Sequence, residues 1–274
     1  MSLSTRVAMI EAQTLAERLH NSEENLVLIQ VTSEEAYVNA HIAGAILVLP
    51  GELVSGVPPA VGRLPEKSAL DALFSRIGYQ REHHYVLLDD EGGGWAGRFA
   101  WTLDVIGHDG WTYLNGGLHA WHAAGLPLAQ GHEAPPTPTT VEVTIDTAPI
   151  AEIPDVLACI DDADAVVWDA RSAQEYAGTK QASQRVGHIP GAVNLDWLDV
   201  QDRNNAFRVI ADLDEVLAAK GISDKTNIIT HCQSHHRSAL TYMLGRLAGL
   251  NIRGYHGSWS EWGNREDTPI ELPA

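Results

Sequence analysis

Cysteine is scarce in this chain of 274 residues, because only Cys159 and Cys232 occur and at most one internal disulfide is available. Long apolar runs are also missing, and none approaches the ~20 residues that a membrane-spanning helix requires. The first twenty residues mix charges into their apolar positions and lack the apolar core of a signal peptide. We therefore expect a reducing, cytoplasmic setting and no membrane association.

Basic side chains are outnumbered, with 18 Lys and Arg against 36 Asp and Glu and a formal net charge of -18. This balance makes nucleic acid and anionic membranes poor partners. A site for a small anion therefore has to be a local cluster of positive groups. The 45% hydrophobic and 20% charged fractions are typical of a globular chain with a full core.

The length suits two domains of ~100–150 residues each. Residues 131–140, GHEAPPTPTT, hold three prolines and three threonines and predict an extended linker. We place an N-terminal domain at 1–130 and a C-terminal domain at 141–274. In both, short β-branched runs such as Leu26–Val31 and Ala165–Asp169 alternate with amphipathic stretches. That alternation predicts an α/β fold, with a mainly parallel sheet flanked by helices in each domain.

The two halves also match in sequence, which indicates an internal duplication. YVNAHIAGAILVL in the first half parallels GHIPGAVNL in the second, and the segment from Tyr85 aligns with the segment from Asn227. In this alignment Asp90 falls at the position of Cys232. One half therefore carries a nucleophile and the other does not.

The sharpest chemical signal is the loop His231–Ser238, which lies between an apolar strand and a predicted helix. Such a loop directs several backbone N–H groups and the positive end of the helix at one point. Together with Arg237 they should lower the pKa of the Cys232 thiol and make it nucleophilic. The same donors would hold the charged outer sulfur of a persulfide. We expect the rest of the loop to contact the substrate: Gln233, Ser234, His235, His236 and Arg237.

Other interpretations of these residues are weaker. His235 and His236 would be solvated loop residues if their side chains leave the loop in different directions. A metal site built from His231, Cys232 and the two histidines lacks a second cluster of ligands, so we expect no metal and no organic cofactor. Cys159 lies in a helical apolar pattern and is expected to be a buried structural thiol.

Three motifs together resemble the tandem-domain rhodaneses of bacterial type: the Cys232 loop, the segment from His188 to Ala192 and the closing segment from Gly254 to Trp262. The similarity runs over nearly the whole chain. It implies a non-catalytic N-terminal domain and a catalytic C-terminal domain whose site faces the cleft between them. It also implies a thiosulfate sulfurtransferase, which takes sulfur from thiosulfate or a related small anionic donor as a Cys232 persulfide. Cyanide or a thiol, including a thioredoxin-like protein, would accept that sulfur.

Several departures from the family pattern limit this inference. The loop from Gln233 to His236 has neither the lysine typical of thiosulfate-preferring animal enzymes nor the Gly-Ser-Gly of mercaptopyruvate enzymes, so 3-mercaptopyruvate is an alternative donor. Gln184 lies in an inserted stretch where an aromatic residue is usual, and we expect this stretch to form a loop near the cleft. His256 replaces a common acidic residue, which we interpret as a change outside the chemical centre.

Two further residues are candidates for lining the cleft. Arg171 is more typical of a structural ion pair, because neighbouring Asp169 and Glu175 would take its donors. Trp197 lines the cleft by resemblance, although an isolated tryptophan is also typical of the core.

Two rival functions come from other classes. Cysteine phosphatases and arsenate reductases have a similar loop with five residues between Cys and Arg, whereas four lie between Cys232 and Arg237. A non-catalytic binding module fits the N-terminal half, where Asp90 replaces the nucleophile, but Cys232 argues against it for the whole chain.

Overall fold

A computed structural model describes residues 8–272, and the chain divides into two compact units. The first unit comprises the residues up to Leu53 together with Pro65–Ile145 and Asp202–Val209. The second comprises Val54–Leu64, Asp146–Gln201 and the residues from Ile210 onward. Each unit therefore includes one short segment from the other half of the sequence. Residues 131–140 belong to the first unit, and the domain limits proposed above stay a prediction.

The first unit is built on a five-stranded sheet with the strand order β1-β5-β4-β2-β3. Its strands are β1 (Ala8–Ile10), β2 (Leu26–Val31), β3 (Ile46–Val48), β4 (His84–Asp89) and β5 (Trp111–Leu114). Its helices are α1 (Ala12–His20), α2 (Glu34–Asn39), α3 (Lys67–Arg76), α4 (Gly94–Val105) and α5 (Gly117–Ala123), with a 3₁₀ turn at Pro50–Leu53.

The second unit has a five-stranded sheet with the order β6-β12-β11-β7-β8. Its strands are β6 (Ile150–Ala151), β7 (Ala165–Asp169), β8 (Val193–Asn194), β11 (Asn227–His231) and β12 (Ile252–Tyr255). Its helices are α6 (Ile153–Ile160), α7 (Ala173–Tyr176), α8 (Leu213–Ala219), α9 (Arg237–Leu247) and α10 (Ser258–Trp262). The short strands β9 (Gln201–Asp202) and β10 (Arg208–Val209) pair with each other, and 3₁₀ turns occupy Trp197–Val200 and Arg203–Asn205.

The two sheets have the same strand order. If the strands of each sheet are counted along the chain, both sheets have the spatial order first, fifth, fourth, second and third. The strand pairings within both sheets are parallel. The α/β fold with two similar, mainly parallel sheets is therefore confirmed, and the matching orders agree with an internal duplication.

The central strands β4 and β11 explain where the chemical residues lie. Both are apolar and buried along nearly their whole length, as strands covered by helices on both faces require. Each is followed by a short loop and then by a buried helix, α4 or α9. The carboxyl end of a central parallel strand thus presents a loop and a helix N-terminus together, which is the usual position of a site in such a sheet. Within residues 8–272, no helix has the length and apolar character needed to cross a membrane.

Candidate active site

Cys232 lies immediately after β11, at the start of the loop that leads to α9. The residue is only 1% exposed. His235 adopts a left-handed backbone conformation with φ 54°, which turns the loop sharply before α9 begins at Arg237. The turn brings the backbone of the predicted substrate-binding residues back around the cysteine.

The surroundings of Cys232 favour its thiolate. Burial alone raises the pKa of the thiol, but the charge of Arg237, the hydroxyl of Ser238 and the backbone N–H groups of Ser238 and Ser234 lower it by more. The net result is a pKa below the ordinary value for cysteine. These are the donors and the cation that the sequence predicted, with the Ser238 hydroxyl added. A lowered pKa of this kind is what a nucleophilic cysteine requires.

Ser238 was not among the residues singled out from the sequence. Its side chain is fully buried and lies 2.8 Å from His235 Nδ1, measured from Oγ. The hydroxyl also bonds the Cys232 sulfur, so Ser238 connects Cys232 to a buried histidine. Its position could have indicated this role, because Ser238 directly follows Arg237 in the first turn of the helix, where both its N–H and its hydroxyl face the loop.

Arg237 is held by a two-point ion pair with Glu175. Nη1 and Nη2 donate to the two carboxylate oxygens at 2.7 and 2.9 Å. Burial raises the pKa of Glu175, but Arg237 and the bonds from Ser172 outweigh it and bring the pKa to about 2. Ser172 and Glu175 form a capping box at the start of α7, which fixes the carboxylate. The guanidinium is therefore oriented before any substrate arrives.

This pairing corrects one expectation, since Glu175 was predicted to bond Arg171. Arg171 does donate to Asp169, as predicted, at 2.6 and 3.0 Å, but its other acceptor is the Gly187 carbonyl at 2.9 Å. Its guanidinium also lies 4.1 Å from the ring centre of Trp259, and the side chain is 1% exposed. These contacts favour the structural role for Arg171 over a position on the wall of a cleft.

Trp197 and Gln233 make the contacts that join the loop to its neighbours. The rings of Trp197 and His236 are 5.6 Å apart between centres. The Gln233 amide donates to the Ala182 carbonyl and to Ser183 Oγ, both at 3.1 Å. The inserted stretch that contains Ala182 and Ser183 is thereby attached to the residue that follows Cys232.

Helix α10 anchors the first part of the loop. The N–H groups of Trp259 and Ser260 donate to the carbonyls of Cys232 and Gln233 at 3.0 and 2.9 Å. The Cys232 N–H in turn donates to Ser258 Oγ at 3.4 Å. The Cys232 N–H is thereby used, and the backbone N–H groups of Ser234 and Ser238 are the ones directed at the sulfur. The closing motif of the sequence therefore supports the loop from behind.

His231 is held neutral at the end of β11. Burial is the main cause that lowers its pKa, to about 4, and the attraction of Asp169 only partly opposes this. The ring Nδ1 lies 3.1 Å from the Cys232 carbonyl oxygen. In the part of the chain that the structure describes, no group of three or more His, Cys, Asp or Glu side chains is placed to hold a metal ion.

The corresponding loop of the first unit is filled by a side chain of its own. Asp89, the last residue of β4, accepts hydrogen bonds from five backbone N–H groups at 2.8–3.3 Å. The donors are Glu91, Gly92, Gly93, Trp95 and Ala96. Aligning Asp90 with Cys232 places Gly92 opposite Ser234 and Ala96 opposite Ser238. The amides that would hold an external anion are thus occupied internally.

Comparison with known proteins decides the family. The sequence pattern of the family described as "Rhodanese-like domain" matches residues 11–124 and again residues 153–265. The chain belongs to the rhodanese-like family. Both halves carry the family's domain, so the duplication and the resemblance of the motifs are confirmed.

Relatives within the rhodanese-like family cover almost the whole chain. A thiosulfate sulfurtransferase from Pseudomonas aeruginosa is 47% identical over 268 residues, which is 96% of this chain and 97% of the relative. A thiosulfate sulfurtransferase from Azotobacter vinelandii is 45% identical, with the same coverage of 96% and 97%. A 3-mercaptopyruvate sulfurtransferase from Escherichia coli is 27% identical and also covers 96% and 97%.

Solved structures share the rhodanese-like fold at low sequence identity. The anaerobic ergothioneine biosynthesis enzyme from Chlorobium limicola superposes with a TM-score of 0.82 at 19% identity, over 100% of this chain and 72% of that one. The protein YnjE superposes with a TM-score of 0.83 at 20% identity, over 100% and 70%. These similarities concern the fold.

Proposed function

We propose that the protein is a thiosulfate sulfurtransferase that carries sulfur as a persulfide on Cys232. The observation that supports this most is the convergence of Arg237, the Ser238 hydroxyl and two backbone N–H groups on a buried sulfur. That arrangement favours a negative charge on sulfur, whether it belongs to the thiolate or to the outer atom of the persulfide. One set of donors thus serves both states of the enzyme.

In the first half-reaction, the Cys232 thiolate attacks the outer sulfur of thiosulfate. A bond forms between the two sulfurs, the S–S bond of thiosulfate breaks, and sulfite leaves with the bonding electron pair. The charge of the thiolate passes to the leaving sulfite, and the outer sulfur of the new persulfide keeps the negative charge that it had in thiosulfate. The amides of Ser234 and Ser238 and the cation of Arg237 would stabilise it there. This chemistry needs no proton relay, which agrees with a neutral His231.

In the second half-reaction, the acceptor attacks the outer sulfur of the persulfide. Cyanide gives thiocyanate and a thiolate acceptor gives a new persulfide, while the Cys232 thiolate leaves and is restored. A thioredoxin-like protein would supply such a thiol. The cycle is a double displacement that uses no metal and no organic cofactor, because Cys232 itself stores the sulfur. The cytoplasmic setting expected from the sequence suits a chain whose two cysteines are both unpaired.

The donor is inferred from the relatives rather than from the loop. The thiosulfate enzymes are 45–47% identical to this chain, and the mercaptopyruvate enzyme is 27% identical. Thiosulfate is therefore the proposed donor, and 3-mercaptopyruvate is the alternative to be compared with it. The phosphatase alternative is disfavoured by the shorter loop and by Glu175, which already accepts from both terminal nitrogens of the arginine that a phosphate would need.

Initial-rate kinetics test this proposal. With thiosulfate and cyanide varied together, a persulfide carrier gives parallel double-reciprocal lines, whereas lines that converge would indicate a ternary complex. Thiosulfate should have a higher kcat/KM than 3-mercaptopyruvate. A phosphatase would instead hydrolyse p-nitrophenyl phosphate at a rate that depends on Cys232, and that outcome would overturn the proposal.

A further inference from the structure

The segment Val54–Leu64, here called the arm, comes from the N-terminal half of the sequence but belongs to the second unit. It closes on itself through hydrogen bonds from the Ser55 N–H to the Arg63 carbonyl at 2.8 Å and from the Gly56 N–H to the Val61 carbonyl at 3.0 Å. These two backbone bonds give the arm a defined conformation. Its position in the second unit depends on contacts with other parts of that unit.

Arg63 fixes the arm by two ion pairs. It donates to Glu261 of α10 at 2.7 Å and to Glu152, which precedes α6, at 2.5 Å. Beside it, the Leu64 N–H donates to His256 Nδ1 at 3.0 Å. Since Nδ1 accepts this bond, Nε2 carries the proton and donates to Glu152 at 3.1 Å. His256, an unusual residue at this point of the family pattern, is therefore part of the anchorage.

Gly62, the residue before Arg63, touches the catalytic loop. A Cβ at this position would overlap the backbone carbonyl, C and Cα atoms of Ser234. Only glycine allows this approach, because its lack of a side chain lets the two backbones meet. Ser234 is also one of the two residues whose N–H groups are directed at the Cys232 sulfur. The arm thus lies directly against a peptide that holds the nucleophile.

The arm and the loop share the helix α10. Glu261 of this helix binds Arg63. Backbone N–H groups in the first turn of the same helix donate to the carbonyls of Cys232 and Gln233. The Tyr255 hydroxyl donates to the second oxygen of Glu261 at 2.9 Å and fixes that carboxylate. One rigid element therefore sets the distance between the arm and the loop.

We propose that Arg63 is a positioning residue for sulfur transfer, which pins Gly62 against the Ser234 backbone and so keeps the Ser234 N–H aimed at Cys232. The inference rests on the proposed role of Cys232 as the sulfur carrier. Arg63 acts through the arm and the loop, and it does not itself touch the sulfur. The sequence could not show this, because about 170 residues separate Arg63 from the loop that it supports.

The experiment compares Arg63→Ala and Arg63→Lys with the wild type. Arg18→Ala is the matched control, because Arg18 forms an exposed ion pair with Glu23 in the first unit. The rate at which iodoacetamide alkylates Cys232 is measured from pH 5 to 10 by peptide mass spectrometry, with buried Cys159 as the internal reference. Melting temperature and kcat/KM for thiosulfate are measured on the same preparations.

Arg63→Ala should move the midpoint of Cys232 alkylation upward by about half a pH unit, so that alkylation below the midpoint slows about three-fold. It should lower kcat/KM by about ten-fold, and Arg63→Lys should recover part of both effects. Arg18→Ala should leave the midpoint unchanged. A merely structural Arg63 would lower the melting temperature without moving the midpoint, and that result would overturn the proposal.

Gly62→Ala provides an independent test, because it disturbs the same contact while Arg63 is intact. The added Cβ forces the arm and the Ser234 peptide apart, so the alkylation midpoint should rise as in Arg63→Ala. An unchanged midpoint in a folded Gly62→Ala protein would contradict the proposed path. Alkylation needs no sulfur donor, so a protein without sulfurtransferase activity would still report on Arg63, and the two proposals fail separately.

Discussion

The Asp89 carboxylate accepts hydrogen bonds from backbone amides at the positions that correspond to those directed at the Cys232 sulfur. In the first unit these amides are Gly92 and Ala96, and in the second they are Ser234 and Ser238. One loop is thereby closed by an internal anion, while the other holds an atom that can gain and lose a negative charge. The two rhodanese-like units therefore differ in the group that the loop amides bind, which is a carboxylate of the protein in the first unit and a cysteine sulfur in the second.

Replacing this internal anion should weaken the first unit. Asp89→Asn puts an amide donor where two of the N–H groups now find an acceptor, so the free energy of unfolding should fall by about 2–4 kcal/mol. Urea unfolding followed by tryptophan fluorescence measures this change. Asp90→Asn is the control, because Asp90 is the adjacent carboxylate and is partly exposed, and its cost should stay below about 1 kcal/mol. Equal losses in the two variants would show that Asp89 has no special role.

Removal of the Ser238 hydroxyl should raise the pKa of the Cys232 thiol. In Ser238→Ala the thiolate loses one hydrogen bond, so sulfur loading from thiosulfate near pH 6.5 should slow about 3–10-fold and approach the wild-type rate in alkaline solution. Stopped-flow measurements across pH follow this directly. Ser260→Ala removes another buried hydroxyl, which donates to the Gly257 carbonyl, and should leave the pH profile in place. A uniform loss at every pH in Ser238→Ala would contradict the explanation.

The ion pair between Arg237 and Glu175 should make the free energy of unfolding fall as the pH is lowered. The pKa of Glu175 is lowered to about 2 in the folded protein, so its ionised form stabilises the fold above about pH 5, and this contribution is lost as pH falls towards 2. Glu175 is only 4% exposed, and the contribution should amount to about 2–3 kcal/mol. Urea unfolding from pH 7 to 3 should show a steeper loss in the wild type than in Glu175→Gln.

An exposed pair gives the comparison for that measurement. Asp267, which pairs with Arg265 at the surface, should leave the pH dependence of stability unchanged when replaced by asparagine. If wild type and Glu175→Gln lose stability in parallel as the pH falls, the buried pair does not carry the predicted linkage.

The sequence allowed the prediction of those features that depend on local patterns. The apolar runs that became β4 and β11, the duplication and the loop around Cys232 all lie within short stretches whose periodicity or spacing is visible. The thiol, Arg237 and the loop amides were identified for the same reason, because strand, loop and helix follow one another directly in the chain.

Contacts between distant residues could not be predicted in this way. Glu175 was assigned to Arg171, because both follow the same strand, but its orientation in the Ser172 capping box directs it to Arg237 instead. In the first unit the alignment places Asp90 at the position of Cys232, but the side chain that accepts the hydrogen bonds of the loop amides is that of the preceding residue, Asp89. The placement of the arm likewise depends on tertiary packing, which no short-range pattern contains.

The most direct test of the central claim is intact-protein mass spectrometry without reductant. Wild type, Cys232→Ser and Cys159→Ser are each incubated with thiosulfate and then with cyanide. Wild type and Cys159→Ser should gain the mass of one sulfur atom and lose it again with cyanide, whereas Cys232→Ser should gain none. Sulfur carried by Cys232→Ser, or none carried by the wild type with either thiosulfate or 3-mercaptopyruvate, would contradict the assignment of Cys232 as the sulfur carrier.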